Sequence, residues 1–232
     1  MFIGHEAVAL ATKRIVPRTS LGTLVMAVGW LDLVWPVFLL LGIEHVHIDP
    51  GNTAFTPLDF WDYPYTHSLL FAAIWAVVFG AVYFLIRRDS RASCITALAV
   101  LSHWVLDAVV HRADLLLVPG GNIRIGLGLW NSIPATLTIE IAMFAVGILI
   151  YLRSTMPKAA IGHVSFWSFV IVLMAIYFSS INSPPPSERV LAYMALLGWL
   201  PVAWGYWIDR TRVMRAVVED NGKNKQSTGS EV

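Results

Sequence analysis

Apolar stretches of roughly 20 residues recur along the chain at 21–43, 66–86, 93–110, 127–152, 164–181 and 190–208. A bilayer hydrocarbon core about 30 Å thick is crossed by about 20 helical residues, so each stretch predicts one transmembrane helix. The loops between them are short, carry nearly all the charge, and leave no room for a soluble domain. The pattern therefore predicts an all-α polytopic membrane bundle of six transmembrane helices. It forms one domain over 1–208, followed by a polar, disordered cytoplasmic tail over 209–232.

Two segments outside the spans carry pattern of their own. Residues 2–10 are apolar and come before Lys13 and Arg14, the reverse of a secretory signal. They are too short to cross, and predict a half-helix entering from the cytoplasmic face with its N-terminus pointing inward. Lys13 and Arg14 would then suit both the head groups and the C-terminal end of the helix dipole. His5 would lie about 12 Å deep; an interfacial amphipathic helix is the alternative. The loop 44–65 holds Glu44, Asp49, Asp59 and Asp62 without a Lys or Arg, and reads as turn-rich. Its Phe60, Trp61, Tyr63 and Tyr65 form an interfacial aromatic belt, placed to act as a lid.

Composition narrows the class further. Hydrophobic residues make up 57% and charged residues 13%, against about 25% charged in soluble domains, and the mean hydropathy is +0.66. A net charge of +1 argues against nucleic acid as a partner. The single cysteine, Cys94, excludes an internal disulfide framework or a Cys-rich metal site. Thirteen of the sixteen basic residues fall on one side of the predicted bundle. The positive-inside rule then puts both termini in the cytoplasm.

Ionisable groups inside hydrocarbon mark function. Asp32 lies in the first span, His103 and Asp107 in the third and Glu140 in the fourth, while His67 opens the second and His111 closes the third. None has a Lys or Arg in its own span, so the carboxylates require a metal ion or protons. His103 and Asp107, at i and i+4, share one helix face and could converge on one ion; a His–Asp hydrogen bond is the plainer reading. His67, in a first turn capped by Thr66, should prefer the neutral form that a metal needs. Pro36 leaves the Asp32 carbonyl without its helical donor. Glu140 reads as a ligand or general base with Thr136 one turn before it, and His111 as a supporting group. His45, His47 and His163 read as solvated loop residues. Counted along straight helices, His67 lies near the outer interface, about 18 Å above the deepest candidates along the bilayer normal. For His67 and His103 to share an ion, the Pro64 turn must sink until their nitrogens are within about 5 Å.

Together, a histidine before the first span, Asp32, Thr66-His67-Ser68 and Ser102-His103-x-x-x-Asp107 resemble a bacterial inner-membrane group labelled metal-dependent hydrolases, the LexA-binding or YdjM-like proteins. The opening Met-Phe-Ile-Gly-His and Leu21-Gly-Thr-Leu are similar to one branch of it. The resemblance covers roughly residues 1–150, with spans five and six generic. It departs at Leu31-Asp32-Leu33-Val34, where the group carries Asp-x-Asp-His, and at Asp62, where it carries a histidine. These departures leave the metal count open. The resemblance implies a bacterial inner-membrane hydrolase acting on a membrane lipid or other amphiphilic phosphoester. Its divalent ion, zinc, would be held by His103, Asp107, His67 and Asp32, with His5 as a fifth ligand and Glu140 taking the proton of the attacking water. The alternative is a proton- or cation-coupled transporter. A di-iron lipid oxidase is disfavoured, because its clustered boxes need about eight histidines and the chain has seven.

Overall fold

The computed structural model describes residues 1–215. In chain order, α1 (Ile3–Ile15) is followed by α2 (Leu21–Val28) and α3 (Trp30–Leu40), then strands β1 (His45–Ile48) and β2 (Leu58–Asp62) and the short α4 (Pro64–His67). Next come α5 (Leu69–Arg87), α6 (Ser90–Val110), a two-residue strand pair β3 (Leu115–Leu116) and β4 (Arg124–Ile125), and α7 (Ile133–Ser154). The chain continues through β5 (Thr155–Pro157), α8 (Ala160–Ser180), α9 (Glu188–Ala195), α10 (Trp199–Thr211) and β6 (Arg212–Met214). Among the described residues, α5, α6, α7, α8 and the α9–α10 run are long and apolar enough to cross a bilayer. The α2–α3 pair, bent by 57°, passes the same test only when its two helices are taken together, and then makes a sixth candidate.

The bend in the first span falls at Gly29 (φ −92°, ψ 3°) and not at Pro36, which sits inside α3. Glycine weakens a helix more than other residues, and carbonyls of a last helical turn have no helical donor. At this break the carbonyl of Val28, the last residue of α2, accepts from His103 Nδ1 at 2.7 Å. A cross-helix bond thus replaces one that the break removes.

The N-terminal half-helix lies inside the bundle. α1 packs along α7 and also against α2 and α6, and Ile3, Ala9 and Leu10 are fully buried. The α1 and α7 backbones touch: a Cβ on Gly147 would stand 2.7 Å from Ala7 Cα. Lys13 ends the helix by meeting Asp209 Oδ1 at 3.0 Å and the Thr19 carbonyl at 2.7 Å. Burial of this kind is incompatible with the interfacial alternative.

Three expectations change. The acidic loop folds into an antiparallel β1–β2 hairpin with an irregularity between His45 and His47. It is tied down where the Phe55 N–H donates to the Trp130 carbonyl at 2.9 Å and the Asn182 N–H donates to the Phe55 carbonyl at 2.7 Å. Paired backbone groups, with Val46 and Phe55 buried, make it a packed cover over one end of the bundle. His163, expected in a loop, lies in the first turn of α8. Residues 209–214, expected to open the tail, belong instead to regular elements. α10 runs to Thr211, and β6 pairs with β5 from Thr155↔Met214 to Pro157↔Arg212. The rest of that expected tail lies outside the described residues.

Candidate metal centre

Four elements deliver the candidate side chains. Pro64 opens α4 at a position where its missing N–H is harmless. Ser68 then turns extended (ψ 150°), its hydroxyl accepting from Phe71 N–H to cap a new helix. The second span therefore begins at Leu69, and His67 sits below it on a short inward turn, 5% exposed. The His67 carbonyl ending α4 accepts from Trp104 Nε1 at 2.9 Å, which fixes the turn against α6. One ligand-type atom from each of Asp32, His67 and His103 lies within 4.8 Å of the others, as does one from each of His5, His103 and Asp107. The sinking of His67 that a shared ion requires is what the fold contains.

The separations are tight. His67 Nε2 is 3.3 Å from Asp32 Oδ1 and 3.8 Å from Asp107 Oδ2. His103 Nε2 is 3.6 Å from Asp32 Oδ1 and 3.0 Å from Asp107 Oδ2. Ligand bonds of about 2.0–2.1 Å in tetrahedral array put neighbouring donor atoms about 3.3 Å apart, so these spacings are of coordination size. Despite its proximity to Asp107, His103 Nε2 makes no hydrogen bond among the described residues. It lies off the hydrogen-bonding line.

Tautomers follow from the outer partners. The Val28 carbonyl can only accept, so His103 Nδ1 carries the hydrogen and neutral Nε2 is a bare lone pair. Around His67 the chain is one step longer. Glu44 is 1% exposed and its carboxylate accepts from the Tyr65 and Thr66 N–H groups and from the Thr66 hydroxyl, at 2.7, 2.8 and 2.6 Å. Burial raises the Glu44 pKa and these donors pull it back. Having given its hydrogen to Glu44, the Thr66 hydroxyl accepts from His67 Nδ1 at 2.7 Å. In the neutral imidazole, the form a metal requires, His67 Nε2 is then the lone pair as well.

Asp107 faces two ways. Oδ2 meets the two histidines just described, while Oδ1 meets His5 Nε2 at 3.1 Å and the Met1 amine. His5 stacks on His103 with ring centroids 3.8 Å apart, so it joins the cluster through the far oxygen of Asp107. Glu140, on α7, accepts from Phe2 and Gly4 N–H at 2.9 and 3.2 Å through Oε2. It caps α1, and its buried Oε1 has no partner among the described residues. The Asp32 side chain is 53% exposed, although Trp35 and Pro36, next on its helix face, are buried. The cluster is open at Asp32.

Two expected members stand apart. Thr136 donates to the carbonyls of Leu129 and Ser132, both at 2.9 Å, and serves the start of its own helix. His111 belongs to a neighbouring outer group, its Nδ1 3.0 Å from Asp114 Oδ1 and 3.3 Å from the Tyr63 hydroxyl. Burial and the nearby Asp114 hold the Tyr63 phenol well above its usual pKa, so it stays protonated and donates to Asp114 at 2.8 Å. The Tyr63 ring, 5.1 Å from that of His67, separates this group from the cluster. Sequence reasoning missed Glu44 as the support of His67, since nothing in the spacing links it to Thr66, 22 residues on.

A model of the YdjM inner membrane protein family matches residues 64–206, more than half of the chain. The chain belongs to the YdjM family. It is a multi-pass inner-membrane protein. The YdjM match takes in His67, His103, Asp107 and Glu140, and also spans five and six, which had read as generic. It leaves out residues 1–63, and with them His5, Asp32 and Glu44. No curated protein and no solved structure matches the chain.

Proposed function

We propose that this YdjM-family protein is a membrane-embedded metal-dependent hydrolase acting on a lipid or another phosphoester-type amphiphile. One observation carries the reading: two buried histidines, each with Nδ1–H tied to an acceptor, aim bare Nε2 lone pairs into a space shared with Asp32 and Asp107. Electron-pair donors gathered without hydrogen bonds between them fit a cation. Metal-bound histidines commonly donate their other N–H in this way. Asp32, His67, His103 and Asp107 would hold the ion, which we take to be zinc from the mixed imidazole and carboxylate donors. Bound there, a divalent ion supplies Lewis acidity and makes water acidic enough to attack near neutral pH.

The chain's own groups take the remaining roles. His5 grips Asp107 Oδ1 and so orients Oδ2. Glu140 keeps Oε1 for a proton while Oε2 holds α1. The opening at Asp32 admits the substrate. Transport is the weaker reading, because Ile3, Ala7 and Leu10 of α1 fill the core on the side of the cluster toward Lys13.

Metal analysis of the purified protein tests this, alongside a screen of phosphoester lipids. We expect about one divalent ion per chain, lost in His103→Ala and in Asp107→Ala. Full occupancy in both variants would overturn the metal reading.

A further inference from the structure

Lys13, Arg18, Ser20, Tyr151, Thr155, Arg212 and one acid, Asp209, are among the residues lining a cavity of about 310 Å³ at the other end of the bundle. It lies where α1, α7 and α10 end and α2 begins, the level of the head groups. Lys13 is matched by Asp209, which also meets the Leu21 N–H. Arg212 is matched by no acid among the described residues. It is 4% exposed and lies over the rings of Tyr151 and Phe166 at 5.5 and 5.2 Å. Its nitrogens donate only to neutral oxygens, Thr155 Oγ1 at 3.2 and 3.1 Å and the Gly162 carbonyl at 3.1 Å. Arg18 is exposed with no ion pair among the described residues. Two hydroxyls share the lining. The Tyr151 hydroxyl, beside Thr155 and Arg212, is buried with no well-formed hydrogen bond among the described residues, and Ser20 Oγ, accepting from Thr23 N–H, keeps its own hydrogen to give.

A buried phenol without a partner is unfavourable, and a buried guanidinium without a counter-charge more so. An anion with several acceptor oxygens answers both, and planar guanidinium forks suit phosphate. We propose that this cavity binds a phosphate group, carried by an anionic lipid head group or free in solution. Basic pockets between helices at the membrane surface hold anionic head groups elsewhere. A purely structural role for Arg212, stapling β6 to β5, leaves Arg18 and the Tyr151 hydroxyl without a purpose.

The test uses the full-length protein in neutral detergent, probed with phosphatidylglycerol, phosphatidylcholine and inorganic phosphate. Wild-type protein should bind phosphatidylglycerol about tenfold more tightly than phosphatidylcholine, as expected for one or two charge-assisted hydrogen bonds. Arg18→Ala and Tyr151→Phe, neither of which removes a packing contact of the backbone, should each erase most of that preference. His103→Ala should leave it intact, which separates this site from the metal cluster. Protection by millimolar inorganic phosphate alone would assign the site to a free anion; its absence, with lipid binding retained, to the head group. Equal affinity of wild type and both cavity variants for phosphatidylglycerol and for phosphate would overturn the proposal.

Discussion

His67 can present a lone pair only because a hydroxyl beside it has already given its hydrogen away. Thr66→Val removes that acceptor while keeping the side-chain volume, and should weaken divalent metal binding 10–100-fold, the usual effect of losing an outer partner. Thr66→Ser should restore it, and competition against a chelator of known affinity reads the difference. Glu140 allows a similar separation of roles. Gln at 140 still offers one oxygen to the Phe2 and Gly4 N–H groups but has no second carboxylate oxygen to take a proton. Glu140→Gln should therefore melt near the wild-type temperature and lose 10²–10⁴-fold in turnover. Glu140→Ala strands both amides and should also lose stability, by about 1–3 kcal/mol per buried group. If Glu140→Gln turns over normally, Glu140 is a cap and nothing more.

The helices bring these residues together by breaking where a regular helix would have kept them apart. The Gly29 break frees the Val28 carbonyl for His103, and the Ser68 break lowers His67 from the interface to the level of α6. α1 reaches the cluster from the opposite side because Gly147 lets it lie directly on α7. Gly147→Leu should push α1 away, withdrawing His5 and the partners of Glu140. A melting temperature lowered as expected for 1–3 kcal/mol of overpacking, together with faster proteolysis after Lys13, would show this. An unchanged melt and cleavage rate would mean that α1 is not held by that contact. The spans, the inward α1 and the His103–Asp107 pair were legible in the sequence, because hydropathy runs and i, i+4 spacing are local signals. The hairpin and the Gly29 bend were not. Strands of four and five residues carry too little alternation to stand out, and one glycine in an apolar run does not announce a 57° turn. Glu44 was hidden for another reason: its partners are fixed only by tertiary packing. The family match, in turn, reaches further along the chain than the motifs alone suggested.

Across the whole molecule, charge divides the two ends. Lys13, Arg87, Arg91, Lys158 and Arg210 collect where α1, α5, α7 and α10 finish and α6 and α8 begin. At the hairpin end, Arg112 is already neutralised by Asp59 and lies 3.6 Å from Asp114, and Arg124 donates to the Asp114 carbonyl. The positive-inside rule counts Lys and Arg and not net charge, so these pairs leave its prediction unchanged: the end richer in basic residues faces the cytoplasm. Reporter fusions at Asn52 and Gly121 should read outside, and fusions at Ser90, Met156 and the C-terminus inside. The orientation also decides who can reach the cluster. Asp107 is the eighteenth residue of α6, about 26 Å from that helix's basic end, so with that end in the cytoplasm the proposed ligands would lie in the outer half of the bilayer. A water-soluble chelator that does not cross membranes should then strip the metal from intact spheroplasts, but not from sealed inverted vesicles. An outside signal from the Ser90 fusion, or stripping only from inverted vesicles, would reverse the topology and place the substrate in the other leaflet.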